Sequence, residues 1–506
     1  MAGMARDDHS SGPAELRGHG TSGTAAPVVR AAVLPPDRRN YLYDATQPDP
    51  ARIYAGAGSV AQTLRQLEPV AELLVDDAWK VDALPGSMPA GYTFLAQLVA
   101  HDVAAHTFGP DETFRPDAAR GHGLTLDSIF GPLSGERPKP RLYRFRPSAS
   151  DPGRPVAADL VWTGNAIDVH DARNGDTPFL SQLSALFVRY FELAESALAD
   201  DLPAEQARLL ARCLTAEAYL DIVEHDLLPR LLHPSVLEIV RVNGWHPVDT
   251  AAEREGFAVP VEFTNAAFRF GHAMVRSTYR LNDRSPMMPL GDLIGPVPPG
   301  LESIRAGNSN FWRVDWRLFF GPGAEVQMSR RIGPDLPPDL ERVGKNRAIP
   351  GGRKSDLAMR DLASSATGRL QRVSALADLL APHLAARAGC ADWALWSQVG
   401  RRALMADWLA AQPGQEPDHL QLDPPLFLYL LVESGAKGAD LGFGGGHTLG
   451  ALGSVLVAEV LVPRLRMARA FIAAQPGIDT ARAIFPPPAG GSPGMWRLIE
   501  FLTGLE

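Results

Sequence analysis

V-E-F-T-N-A-A-F-R-F-G-H-A-M-V-R, residues 261–276, is the stretch on which the reading of the whole chain turns. Its apolar positions recur at helical spacing, which predicts a helix over 261–275. It carries His272, with Arg269 three residues earlier and Gly271 immediately before. Two readings of His272 stay open on these residues alone. In one it is a core histidine whose ring nitrogens find backbone partners, since histidine is of intermediate burial. In the other its neutral imidazole ligates a metal. Gly271 would then let a flat group approach the backbone, and Arg269 would grip a carboxylate on the rim of that group. One histidine does not choose between them.

The rest of the chain narrows the classes. Its 506 residues allow one to three domains at roughly 150 residues each. Hydrophobic residues make up 45% and charged residues 21%, an ordinary globular balance. A net charge of −9 argues against nucleic acid or an anionic membrane as partner. The two cysteines, Cys213 and Cys390, exclude a disulfide framework and a thiolate zinc site. No apolar run at the N-terminus reads as a secretory signal, so a reducing, cytoplasmic setting is the expectation. The longest apolar run, 449–462, is shorter than the roughly 18 residues of a membrane span and contains Glu459, so it is read as a buried core helix.

Residues 1–40 are aperiodic and rich in Gly, Ser and charge, and read as a flexible leader; 41–506 reads as one domain. Helices are expected at 60–74, 91–106, 204–232, 356–382, 391–411, 424–434, 448–474 and 495–502. Another begins at Asp176-Thr177-Pro178, a capping side chain followed by first-turn proline, with Asp176 itself a fitting cap. Leu180, Leu183, Phe187, Tyr190, Phe191 and Ala194 form its buried stripe. Within 91–106, Gln97 and His101 are four apart and share a face. Segments 107–160 and 284–355 read as long irregular loops. G-F-G-G-G-H-T at 442–448 lacks the Lys-Ser/Thr ending of a phosphate loop and reads as a flexible lead into the next helix. Tyr219 and Trp162 read as packing residues. The expected fold class is mainly α, a single large helical domain with long irregular loops and little or no strand.

Three pieces separated in sequence look like parts of one pocket: Gln97…His101-Asp102, D-A-R-N-G-D at 171–176, and Arg269…His272 of the opening stretch. Further pieces keep their order along the chain: L-T-L-D-S-I-F-G at 124–131, F-L-S-Q-L-S-A-L-F-V-R-Y-F-E-L at 179–193, F-T-N-A-A-F-R-F-G-H at 263–272, D-L-A-M-R-D-L at 356–362, L-G-A-L-G-S-V-L-V-A-E at 449–459 and G-M-W-R-L-I-E-F-L at 494–502. Taken together they resemble the animal-type haem peroxidases, the peroxidase–cyclooxygenase superfamily, in a bacterial form. The resemblance runs from about residue 90 to the C-terminus.

What the resemblance implies is a haem-peroxidase-like domain holding haem b, with His272 as proximal iron ligand and Arg269 pairing a propionate. His101 would be the distal base that moves a proton between the oxygens of hydrogen peroxide. Arg173 would stabilise charge on the leaving oxygen. Gln97 would hold water or a halide over the iron. The implied reaction reduces hydrogen peroxide through a ferryl intermediate and oxidises a small organic or halide donor. Oxidative-stress detoxification and tailoring of a secondary metabolite are equally open as roles.

Departures from the family pattern set further expectations. Ala100 stands where mammalian members carry an ester-forming aspartate, so that link cannot form. Asp176 falls at the second ester position and is a candidate for a single haem ester. Asp102 matches a calcium ligand, with Gly121, Gly123, Thr125 and Asp127 at its partner positions; Thr125 replaces an expected aspartate, so calcium is left open. Asp361 replaces an asparagine that accepts a hydrogen bond from the proximal histidine, and a carboxylate is the stronger acceptor. Ser364 replaces an arginine expected on a second propionate. Two rivals remain: a haem fatty-acid dioxygenase, whose radical tyrosine would sit where this chain has Arg269, and a haem-binding protein without turnover.

Overall fold

The computed structural model describes residues 60–75, 85–104, 106–108, 114–116, 124–133, 139–144, 158–163, 166–243, 259–294, 311–342, 357–367, 370–385, 397–410, 420–421, 423–436, 445–488 and 493–504. The expected leader, Cys390, Gly121, Gly123 and the side chain of Trp162 lie outside the described residues. Helix α1 is Val60–Leu73 and α2 is Gly91–Val103. Of the 13 residues of α2, only Gln97 and Ala100 are not fully buried. A helix buried on almost every side sits inside a core rather than on it. Gly91 makes that burial feasible, because a Cβ there would come within 2.6 Å of the Phe319 carbonyl oxygen. Phe94 stacks on Phe179 with centroids 4.1 Å apart, and the Tyr92 hydroxyl donates to Asp226 Oδ2 at 2.7 Å.

A one-turn helix α3, Asp127–Phe130, precedes the long α4, Pro178–Leu198. Thr177, extended at φ −145° and ψ 156°, caps α4: its hydroxyl accepts from Leu180 N. The cap is therefore Thr177 and not Asp176, whose backbone is already helical. All six residues of the predicted α4 stripe are buried, each contributing about 1.5–3 kcal/mol if large and aliphatic or aromatic. α4 packs on α2 and on α5, Ala204–Ile222. The helix expected over 204–232 does not run straight: Val223–Leu227 is a π-turn. Its extra residue brings Asp226 round to accept from Tyr92, from Arg230 Nε at 2.9 Å and from Met495 N at 2.8 Å. Tyr219 packs edge-on to Phe187, as a core residue.

After α6, Pro234–Asn243, the stretch quoted first departs most from expectation. It is not one helix. α7 is Val261–Asn265, a 3-10 turn covers Ala267–Arg269, and α8 is Gly271–Met274. Ala266 (φ −142°, ψ −68°) and Phe268 (φ −92°, ψ 16°) break the ladder. The break lets Phe268 stack on Phe263 at 4.5 Å. It also frees the Thr264 carbonyl, which takes Arg269 Nε at 2.8 Å instead of a helical N–H.

The C-terminal helices are α9 Leu357–Thr367, α10 Val373–Ala385, α11 Gln398–Ala410, α12 Leu426–Gly435, α13 Ala451–Ala473, α14 Ile478–Ile484 and α15 Met495–Thr503. The span expected as one helix over 356–382 is thus two. α9 packs on α1, α7 and α12, and α13 on α5, α6, α7 and α12. Run 449–462 is buried throughout, and no helix among the described residues is long and apolar enough to cross a membrane. The mainly α class stands. The described strands form five short antiparallel pairs, of which Pro85–Pro89 with Met328–Arg330 tethers the start of α2.

Glu433 of α12 is fully buried and accepts from Leu452 N at 3.1 Å and Gly453 N at 3.3 Å, the free donors at the start of α13. Burial nevertheless pushes its carboxyl up to about 7. Its native form holds a proton that the unfolded chain has lost, so its stability contribution is present below the ordinary glutamate range and is lost as pH rises through 7. Asp159, pushed up to about 7 by burial, acts with the same sign. Urea unfolding at pH 5 and pH 8 will show a loss at the higher pH. In Glu433→Gln that loss shrinks by on the order of 1–3 kcal/mol; an unchanged loss would refute the assignment.

Candidate active site

The uncovered positions of α2 open onto a cavity of about 940 Å³, its open mouth included. Gln97, Ala100 and His101 line it from α2, with Arg173 beside them; Phe268, Arg269, Gly271 and His272 line it from the broken segment, and Arg360 from α9. The structure thus brings His101 and His272 to one space, as it does Gln97, Arg173 and Arg269.

His101 is buried, and its Nδ1 lies 2.9 Å from Asn174 Oδ1. The orientation of that amide is fixed by Asn174 Nδ2 donating to the Ser128 carbonyl at 3.3 Å. An amide oxygen only accepts, so Nδ1 carries the hydrogen and Nε2 is the nitrogen that can take a proton. Arg173 is held as a fork by Asp171, with Nε to Oδ1 at 3.0 Å and Nη2 to Oδ2 at 2.6 Å; Nη2 also donates to the Ala104 carbonyl at 2.8 Å. Its Nη1 makes no hydrogen bond among the described residues, and the residue lines the cavity. That leaves one donor for an incoming anionic oxygen.

On the other side, His272 Nδ1 donates to Asp361 Oδ2 at 2.6 Å, and Arg269 Nη1 donates to Asp361 Oδ1 at 2.6 Å. Asp361 is fully buried. Burial alone would raise its carboxyl, but the neighbouring His272 and Arg269 hold it below the ordinary carboxylate value. The expectation for Asp361 as partner of His272 matches this contact. Arg269 lines the cavity and also bonds inside the protein, Nε to the Thr264 carbonyl and Nη1 to Asp361, because the chain break puts both acceptors in reach.

Asp176 is buried at the foot of α4 and is not among the cavity-lining residues. Asp102 turns both oxygens to backbone N–H groups, Leu126 N and Ser128 N, each at 2.9 Å. Thr125 donates its hydroxyl to Asp127 at 2.7 Å. Of the candidate calcium ligands, Asp102, Thr125 and Asp127 are described, and they sit together on α2 and the turn leading into α3. Among the described residues no group of three or more His, Cys, Asp or Glu is arranged to hold a metal. Reading the sequence missed Asn174, Asp171 and Arg360. The first two lie inside the D-A-R-N-G-D stretch and could have been noticed as the polar neighbours of Arg173; Arg360 carries no such signal.

No protein-family model matches the sequence, and no curated protein matches it significantly. Solved structures do. Peroxidase A from Dictyostelium discoideum is similar with a TM-score of 0.54 at 15% identity, over 97% of this chain and 98% of that one. A fatty acid alpha-dioxygenase from Arabidopsis thaliana is similar with a TM-score of 0.53 at 14% identity, over 88% of this chain and 76% of that one. The chain shares its overall fold with these two proteins. In this fold the pair His101 and His272 occupies a shared cavity, each ring held through Nδ1 by a different acceptor.

The amide contact predicts a fixed tautomer. Nitrogen NMR of histidine-labelled protein will show His101 as the Nδ1–H form at neutral pH, and Asn174→Val will convert it to a mixture. A wild-type ring protonated on Nε2 would contradict the arrangement.

Proposed function

We propose that the chain is a haem-dependent peroxidase that reduces hydrogen peroxide and oxidises a small organic or halide donor. The observation that carries this reading is the joint placement of an amide-pinned His101 and a carboxylate-paired His272 on one cavity. The lining fits a flat macrocycle. A Cβ at Gly271 would meet no atom within 4 Å, so that wall stays open for a ring face. Phe263, Phe268, Phe270 and Leu340 supply apolar contact, and Arg269 and Arg360 are the cations available to acidic side arms. Haem b would be ligated through Nε2 of His272, the nitrogen opposite the Asp361 contact.

Bound haem would supply the two electrons that reduce the peroxide and recover them from the donor. The protein's own part is proton movement. His101 Nε2 takes the proton from the nearer peroxide oxygen and returns it to the farther one, which leaves as water when the O–O bond breaks. Arg173 Nη1 faces the charge that builds on that leaving oxygen. Gln97, one turn before His101 and lining the same cavity, orients water or a small donor there.

The likeness to a fatty acid alpha-dioxygenase keeps a second reading in view. Against it, no tyrosine lines the cavity among the described residues, and Arg269 stands three residues before His272. A guanidinium does not relay a radical. A haem-binding protein without turnover would have no use for the His101–Asn174 and Arg173–Asp171 pairs.

Purified protein given haem should develop a Soret band and oxidise a phenol only when peroxide is added. His101→Ala should keep the band and lose about 10²–10⁴-fold in rate; Gly271→Val should block haem uptake. Oxygen consumption with a long-chain fatty acid and no peroxide would favour the dioxygenase, and a band without turnover the binding protein. Asp361→Asn, a weaker acceptor from His272, should raise the ferric/ferrous potential, and an unchanged potential would remove that role for Asp361.

A further inference from the structure

Next to His101 on α2, Asp102 bonds to the backbone N–H groups on either side of a second buried acid, Asp127 of α3. The turn between them is strained: Leu124 and Leu126 have φ of 54° and 59°, a region leucine avoids. Two carboxylates buried in a strained turn need positive charge. The charge present belongs to Arg212 of α5, itself buried. Its Nη2 donates to the Gly131 carbonyl at 3.1 Å and lies 3.8 Å from Asp127 Oδ1, and its guanidinium sits 4.1 Å over the Phe130 ring. Its field reaches Asp102 as well as Asp127.

We propose that Arg212 is the built-in counter-cation of this turn, standing where a divalent ion would otherwise be needed, so that the Asp102–Asp127 cluster works without calcium. A calcium ion needs six to eight oxygens at about 2.3–2.6 Å. Here Asp102 accepts from two N–H donors, and Asp127 accepts the Thr125 hydroxyl on Oδ1, the oxygen that lies 3.8 Å from the Arg212 guanidinium. Burial lowers Arg212 only to about 10, so it stays cationic at neutral pH. The consequence reaches the active-site side of α2. The same turn gives its Ser128 carbonyl to Asn174 Nδ2 and to Asp171 N (2.8 Å), and its Ile129 carbonyl to His170 N (3.0 Å). The backbone carrying Asp171, Arg173 and Asn174 is thereby hung on a covalently attached cation, which no chelator removes. This holds whether or not the peroxidase reading does.

The test uses the full chain without haem. After dialysis against a calcium chelator, metal analysis should find no calcium, and the thermal midpoint should be the same with chelator as with millimolar calcium chloride. One calcium retained per chain, or a midpoint that rises with calcium, overturns the proposal. A mutant cycle probes the arginine directly. Arg212→Met should lower the midpoint by leaving Asp127 uncompensated, and Arg212→Met with Asp127→Asn should recover part of the loss; losses that simply add would overturn the coupling. Should Arg212→Met fail to fold, the double variant folding where the single does not supports the coupling, and the wild-type calcium measurement decides the metal question by itself.

Discussion

One buried carboxylate ties the site together. Asp361 of α9 accepts from His272 on one oxygen and from Arg269 on the other, and both donors come from the same broken segment. A lone carboxylate at full burial would be driven to protonate. Two donors, one of them permanently cationic, keep it charged, and in return it holds the segment against α9. The contact also limits what Asp361 does to His272. A carboxylate that shares its charge with a guanidinium pulls less on the imidazole proton than an isolated one, so Arg269 tempers the pull of Asp361 on His272.

The two histidines differ through the atom each meets at Nδ1. His101 meets the neutral amide oxygen of Asn174, which orders the ring and its tautomer with little pull on its proton. His272 meets an ionised carboxylate, the stronger acceptor. A ring of the first kind suits proton transfer through Nε2, and a ring of the second suits donation of electron density to a metal through the same atom. This asymmetry is carried by side chains far apart in the chain, and it rests on the burial of α2 and α9 holding the rings in place.

Much of the fold was legible because its helices obey simple periodicity. The α4 stripe, the buried 449–462 run and the absence of long strands follow from where apolar residues fall. What escaped was local and non-periodic. The break at Ala266 is invisible to spacing, since the residues on either side keep a helical pattern; the gain that causes it, Arg269 on Thr264 and Phe268 on Phe263, exists only after folding. The π-turn at 223–227 has the same origin, an acid drawn to three donors from distant segments. In the site, His101, His272, Arg173 and Asp361 are named through the family resemblance, which residue type and spacing alone do not supply. Asn174 is visible only as a polar neighbour of Arg173, and its partner, His101, is 73 residues away along the chain; Arg212 gives no signal, because its contacts run from α5 to the α3 turn.

The central claim is that a metal of a flat cofactor would bond to His272 while His101 stays unligated. Resonance Raman spectra of the ferrous, haem-loaded protein test it most directly. The account predicts an iron–imidazole stretching band in the wild type and in His101→Ala, its loss in His272→Gly, and its return when free imidazole is added to that variant. A band that survives His272→Gly without imidazole, or vanishes in His101→Ala, would contradict it.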